Sequence, residues 1–295
     1  RGWSPVLFSA TTPPPSPSPS PRSPPPPPYR VGAYSLSGLP KMLEGEKPPF
    51  MIGSSGVTRL ERYGALKDPI GNLTKSKSKS VLTETFADAM LTSLQSSERL
   101  AEVLDDVRLS TAFPSGKLTS QFEQVAKLIK AREALEEERA VFYVTLSGFD
   151  THNSLQEKVA EHFDEINTAL TRFVAEMEAQ GVWKQVTVLT ASDFGRTLGS
   201  NGAGTDHAWA GNYVLLGGGI KGGQMLGDFP PNLDEDSEVN IGRNGRLLPT
   251  TPWEGPWYGL AEWFGVGEGQ MPEVLPNAAR FPAERIFRES QLFRE

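Results

Sequence analysis

The sequence predicts an α/β fold, a mostly parallel sheet flanked by helices, and three stretches carry that expectation. "AVFYVTLS" at 140–147 and "VTVLTA" at 186–191 have the β-branched and aromatic content of buried strands. Between them Val159, Phe163, Ile166, Leu170, Phe173 and Met177 step by alternating fours and threes, the core-facing stripe of a helix that stops at Gly181. Strand, helix and strand joined by short connections imply parallel pairing and layered packing. "NYVLLGGG" at 212–219 supplies a third strand.

The remaining elements follow in order. Twelve of the 25 prolines fall in residues 1–28, where the missing amide donors rule out ladders; this segment is expected to be a disordered, polyproline-like Pro/Ser tail. Residues 29–295 are expected to form a single α/β domain. Leu82, Phe86, Met90, Leu100, Leu104 and Val107 lie near a helical period within 81–109. "FPSGKL" at 113–118 interrupts the pattern. Leu118, Phe122, Val125, Ile129 and Leu135 then mark a second amphipathic helix, ending in the solvated "EALEEER". Near the end, Trp257, Leu260, Ala261 and Phe264 share one helical face and read as core. No internal repeat is found.

Composition narrows the function. A formal charge of −7 opposes general nucleic-acid binding, which needs a basic face; "KSKSKS" at 75–80 is the one basic run and reads as an exposed loop. No apolar run approaches the roughly 18 residues of a membrane span. With no cysteine, a transition metal would have to be held by histidine and carboxylate. The chain starts at Arg1 without a basic-then-apolar signal segment, and is expected to be incomplete at its N-terminus.

"TLSGFDTH" at 145–152 ends a strand in an acid, a hydroxyl and one of three histidines. "TASDFGRTLGSNGAGTDHAWAG" at 190–211 adds Asp193 at another strand end, then Asp206 and His207. Ligands of open α/β sheets bind beyond the carboxyl ends of strands, so Asp150, His152 and Asp193 fall where a metal site would be, to be joined by either Asp206 or His207. Asp206 and His207 would diverge if extended, so only one would be a ligand and the other would orient it from behind. Arg196 is the candidate for binding an anionic oxygen, although a salt bridge to Asp193 or Asp206 is the competing role. "GSNGAGT" offers either an anion nest or only a turn. Helix capping by Asp150, Thr151, Asn153 and Ser154, and a turn cap at Asp193, is the alternative account of these residues. His162 sits within the helical stripe and reads as structural.

Taken in order, "GFDTH", "SDFGRTLGSNGAGTDHAWAG", "IKGGQMLGDFP", "GRLLPTTPW" and "LAEWFGV…VLPNAARF" resemble the successive blocks of the domain-of-unknown-function 1501 family. The resemblance is strongest over 115–282 and extends back to "AYSLSGLPKMLEG" at 33–45. That family is similar to the alkaline phosphatase and sulfatase superfamily, which implies an alkaline phosphatase-like sheet, a divalent metal and hydrolysis of a small anionic phosphate or sulfate ester. Members are typically exported, which implies an extracellular or exported location. In the superfamily's Ser-Asp-His-Gly block, "SDFG" keeps Asp193 but has Phe194 where a histidine ligand stands. Asp150 and His152 resemble the paired Asp/His ligands and His207 the late histidine, which implies Asp150, His152, Asp193 and His207 as the metal ligands with Asp206 behind them. The resemblance therefore implies one ion, zinc or manganese given the mixed N/O ligands, rather than two. The superfamily's nucleophile would precede Tyr29, and Ser54, Ser55 and Thr151 sit in no matching motif. The expectation is a metal-dependent ester hydrolase, with a non-catalytic surface-associated binding or scaffold protein as the alternative.

Overall fold

A computed structural model describes residues 6–9, 30–45, 48–74, 79–242 and 244–294. The proline run expected to form the tail lies outside these residues. One part of the 1–28 segment does not fit a tail: Val6–Ser9, a proline-free stretch, forms strand β1. It is followed by β2 (Val31–Ser35), β3 (Phe50–Met51), helices α1 (Tyr63–Thr74), α2 (Val81–Asp105) and α3 (Lys117–Lys130), and β4 (Arg139–Tyr143). The long helix α4 (Leu155–Ala179) leads to β5 (Val186–Leu189), the hairpin β6 (Gly195–Ser200) and β7 (Thr205–Ala208), and β8 (Leu215–Gly217). Three helices close the chain: α5 (Glu254–Phe264), α6 (Met271–Val274) and α7 (Glu289–Leu292).

The main sheet has the order β3-β2-β4-β1-β5-β8. β2 pairs parallel with β3 and β4, whereas β1 pairs antiparallel with both β4 and β5, and β8 antiparallel with β5. The fold is thus mixed α/β, and the expectation of a mostly parallel sheet is corrected at two places. β4 and β5 do point the same way, as their helical crossover requires, but β1 lies between them. The strand expected at 212–219 is short, Leu215–Gly217, and reversed, because the chain leaves the carboxyl end of β5, makes the hairpin, and re-enters the sheet at that same edge. Since β4 and β5 share a direction, their carboxyl ends open on the same edge, where the loops 144–154 and 190–194 emerge.

Alternation along the strands builds two cores. Phe142 and Val144 from β4 and its continuation, with Val186 and Val188 from β5, pack against Phe122 and Val125 of α3 and Phe173 and Met177 of α4. Phe122 and Phe173 meet at 5.0 Å. On the opposite side Leu189 and Tyr143 join Trp257 and Leu260 of α5 and Leu292 of α7. Period-2 side-chain direction thus sorts neighbouring residues between two helical layers. The expected C-terminal face through Trp257 and Leu260 is buried as read.

Polar side chains stitch the first layer together. Strand β4 ends before the 140–147 stretch does, because the amide of Gln121 replaces a neighbouring strand: its Nε2 donates to the Thr145 carbonyl and its Oε1 accepts from the Thr145 amide, both at 2.9 Å. Glu165 of α4 accepts from Leu118 N at 2.7 Å, satisfying an orphan amide of the first turn of α3. Three helical expectations need correction. α3 stops at Lys130 rather than running through Leu135, with Glu136 in the left-handed region at φ 58°. In α2, Leu82 and Phe86 are 82% and 71% exposed, so only its C-terminal end, from Leu100, reaches the core. Phe163 in the α4 stripe is likewise exposed.

Candidate metal centre

Asp150 sits in the loop that leaves the carboxyl end of β4, and three side chains converge on its Oδ1. His207 Nε2 is 2.6 Å away, His152 Nε2 3.0 Å, and Arg196 donates from Nη1 at 2.8 Å. Two of these come from the β6–β7 hairpin, where Arg196 and His207 are directly paired across the strands. Cross-strand partners on one face of a hairpin lie close enough to act on one target. Asp150 and His152 converge differently from the expected extended segment: His152 N donates to the Asp150 carbonyl at 3.2 Å, a tight turn that swings the imidazole back over the carboxylate.

The hairpin is held against this loop by backbone contact. Thr205 N donates to the Thr151 carbonyl at 3.2 Å. At Gly204 a Cβ would stand 2.3 Å from that same oxygen, so only glycine permits the approach. Arg196 is anchored by Thr205 through Nε to its hydroxyl at 3.0 Å and through Nη2 to its carbonyl. Phe194 stacks on His207 with ring centroids 4.7 Å apart. The hydrogen bond from His207 holds the Asp150 carboxyl below its usual range; partial burial opposes this, and the Arg196 hydrogen bond and the charges of both histidines reinforce it.

Asp150, His152 and His207 offer one carboxylate oxygen and two ring nitrogens within 4.8 Å of one another. Tetrahedral ligands about 2.1 Å from an ion stand roughly 3.4 Å apart, a spacing these side chains reach by small rotations. The donor set is therefore suited to a divalent cation that accepts imidazole and carboxylate. Their side chains are 44%, 49% and 56% exposed, so a bound ion would keep positions open to solvent or substrate.

The other candidates separate. Asp206 lies on the opposite side of β7 from His207 and faces the second nitrogen of His152, with Nδ1 to Oδ1 at 3.5 Å. Asp193 is exposed and outside the three-residue group; its charge acts instead on Tyr213, whose hydroxyl is pushed up first by burial and then by that carboxylate. Arg196 pairs with Asp150, a partner not among the two expected. The glycine-rich turn is a turn and not an anion nest, because Asn201 Oδ1 already accepts from the amides of Ala203 and Gly204 at 3.2 and 2.8 Å. Capping does not account for Asp150. Ser154 takes the N-cap position of α4 at φ 48° without a side-chain cap bond, and Asn153 binds Lys158. His162 packs on Phe149 at 4.7 Å, as a structural side chain does.

Thr205, Phe194 and Asn201 were missed as contributors. For Thr205 the sequence held a signal, since it ends the turn that aims the strand carrying His207. Phe194 was read only as a lost ligand, not as the surface on which His207 rests.

No curated protein and no solved structure matches the chain. Residues 69–241, which include Asp150, His152, Asp193, Arg196, Asp206 and His207, match the family described as Protein of unknown function (DUF1501), and since that stretch is more than half of the chain, the protein belongs to this family.

Proposed function

We propose that Asp150, His152 and His207 hold a single divalent cation, zinc or manganese, and that the protein hydrolyses a phosphate or sulfate ester there, in the manner of the alkaline phosphatase and sulfatase superfamily. The observation that carries this reading is the convergence of two imidazoles and a carboxylate from separate elements at the carboxyl edge of the sheet. When bound, the ion supplies Lewis-acid polarisation of the ester and stabilises the oxygen that attacks or leaves. The chain's own residues do the positioning. Asp206 steadies His152 through its second nitrogen. Phe194 supports the ring of His207. Arg196 has three of its five donors committed to Asp150 and Thr205; its remaining N–H groups are the ones offered to an anionic oxygen. Asp193 enters this reading only as a residue near the site. Thr151 is buried, with its hydroxyl turned to the Phe149 carbonyl, and does not serve as a nucleophile.

Metal content measured by mass spectrometry tests the reading. The full chain is expected to carry about one zinc or manganese ion, lost in an Asp150→Ala/His152→Ala double variant. Ester hydrolysis should disappear with a chelator and return on adding the metal. A metal-free protein with activity unchanged by the double variant overturns it.

A second reading is favoured by one observation. The cluster is a closed ion-pair network in which Asp150 Oδ1 meets three nitrogen groups. On that account it is a clasp fixing the hairpin to the sheet in a non-catalytic, surface-associated binding or scaffold protein. Thermal unfolding that is identical with and without chelator, yet lowered by Asp150→Ala, identifies the clasp.

A further inference from the structure

A cleft of about 180 Å³ lies against the hairpin on the side of Phe194 and Arg196. Its apolar walls are Phe149, Leu155, Val159, Phe194, Trp209 and Tyr213. We infer that this cleft is a binding subsite for one planar aromatic ring, carried by the ligand whose charged group reaches the metal cluster.

Size, chemistry and continuity each support that occupant. An apolar cavity of about 150 Å³ accepts a benzene ring, so this volume suits one ring and not two. The walls come from the loop after β4, the first turns of α4, and the segments that flank the hairpin, so the cleft is built by the same elements as the cluster. Phe194 lines the cleft and stacks on His207. Arg196 lines it and pairs with Asp150. Phe194 and Arg196 are thus shared between cleft and cluster, so a ring seated there lies one side chain away from Asp150 and His207.

The polar groups on the walls separate an aromatic ring from a sugar. A sugar requires donors and acceptors arranged for its hydroxyls. Here the Ser192 hydroxyl donates to the Phe194 carbonyl at 2.8 Å, and the Tyr213 hydroxyl to the Ser192 carbonyl at 3.2 Å. Three of the five Arg196 N–H donors are taken by Asp150 and Thr205, and the other two are left for the ligand's anionic group. The Thr151 hydroxyl is turned to the Phe149 carbonyl, and Asn212 adds one amide, so most of what these walls present is ring faces and aliphatic side chains. Tyr213 is braced edge-on by Trp253 at 5.8 Å, which holds one wall in place. Trp209, 65% exposed, forms the lip and is available to cover a bound ring.

The subsite rests on the hydrolase reading only for what the ring is attached to, so its test avoids turnover. Phenol and methyl glucoside are titrated onto the full chain after treatment with a chelator, and binding is followed by ligand-observed NMR. Phenol is expected to bind with a Kd on the order of 1 mM, typical for so few atoms, and methyl glucoside at least about tenfold more weakly. Trp209→Ala, at an exposed position, should weaken phenol by roughly threefold to tenfold while leaving the fold intact. Equal binding of the two probes, absence of phenol binding, or an unchanged Kd in Trp209→Ala overturns the subsite. Phenol binding to a chain that takes up no metal would retain the subsite and remove the hydrolase reading.

Discussion

At the scale of single residues, two carboxylates on α4 and its preceding loop behave in opposite ways. Asp150 is exposed and gathers cations; Glu176 is fully buried and gathers amides, from Ser110 and Thr111 at 2.9 and 2.7 Å and from Gln180 at 2.9 Å. Burial pushes the Glu176 carboxyl up, but the hydrogen bonds from Gln180, Thr111 and Ser110 together outweigh it and hold it below its usual range. A folded-state value below the unfolded one contributes stability above the unfolded value of about 4.3, and that contribution is lost as pH falls through the folded value. Glu176→Ala strands two backbone amides and is expected to cost about 3 kcal/mol in urea unfolding at neutral pH. The difference from wild type should shrink in acid; a variant that loses nothing at neutral pH would sink this account. Glu176 was not readable in advance, since it interrupts an apolar stripe as any solvated glutamate would. Asp150 and His152 were readable, because a strand that runs into acid and imidazole at a sheet edge is a rare residue choice for a plain connection.

At the scale of elements, the hairpin β6–β7 decides whether the cluster exists. Its register changes between Arg196 and Ser200, where Ser200 pairs with Thr205 but Arg196 pairs with His207. Counting outward from the turn would set Arg196 opposite Trp209; the irregularity brings His207 there instead and turns it to Asp150. That is why the separate motifs were legible and their mutual pairing was not. The same limit applies to α2, whose periodic Leu82, Phe86 and Met90 predict a core face that nothing among the described residues covers, since periodicity specifies a face and not what meets it. β1 was missed because four ordinary residues precede a proline run. The hairpin's docking has one sharp dependence: Gly204→Ala places a methyl against the Thr151 carbonyl. The expected loss is about 2 kcal/mol together with weakened metal uptake. Gly222→Ala, where a Cβ meets nothing within 4 Å, should change stability by less than about 0.5 kcal/mol. Equal behaviour of the two variants in chemical unfolding and metal titration would show that the hairpin does not depend on this contact.

At the scale of the whole molecule, the cluster sits between the main sheet and the separate two-stranded hairpin. α3 and α4 cover one face of the sheet and α5 and α7 the other, while the hairpin forms its own two-stranded sheet at the carboxyl edge. Side chains at 150–152 and 207 therefore join the end of β4 to an element outside the main sheet. Among the described residues no helix is long and apolar enough to cross a membrane. The hairpin is held by Thr205 N on the Thr151 carbonyl and by Arg196 on Asp150, and a ligand at the cluster would add to these contacts. A ligand that binds only the folded state stabilises it by RT ln(1 + [L]/Kd), about 2.7 kcal/mol at a hundredfold excess over Kd. For a chain of this size each kcal/mol shifts the midpoint by about 2–4 °C, so zinc or manganese should raise the thermal midpoint by roughly 5–10 °C. The rise should reverse with a chelator and be absent from Asp150→Asn, which keeps the volume and removes the charge. Calorimetry separates the two accounts of the cluster: a metal-centred site responds to the ion and loses that response in Asp150→Asn, whereas an ion-pair clasp gives one midpoint in all metal conditions and a lower one in the variant.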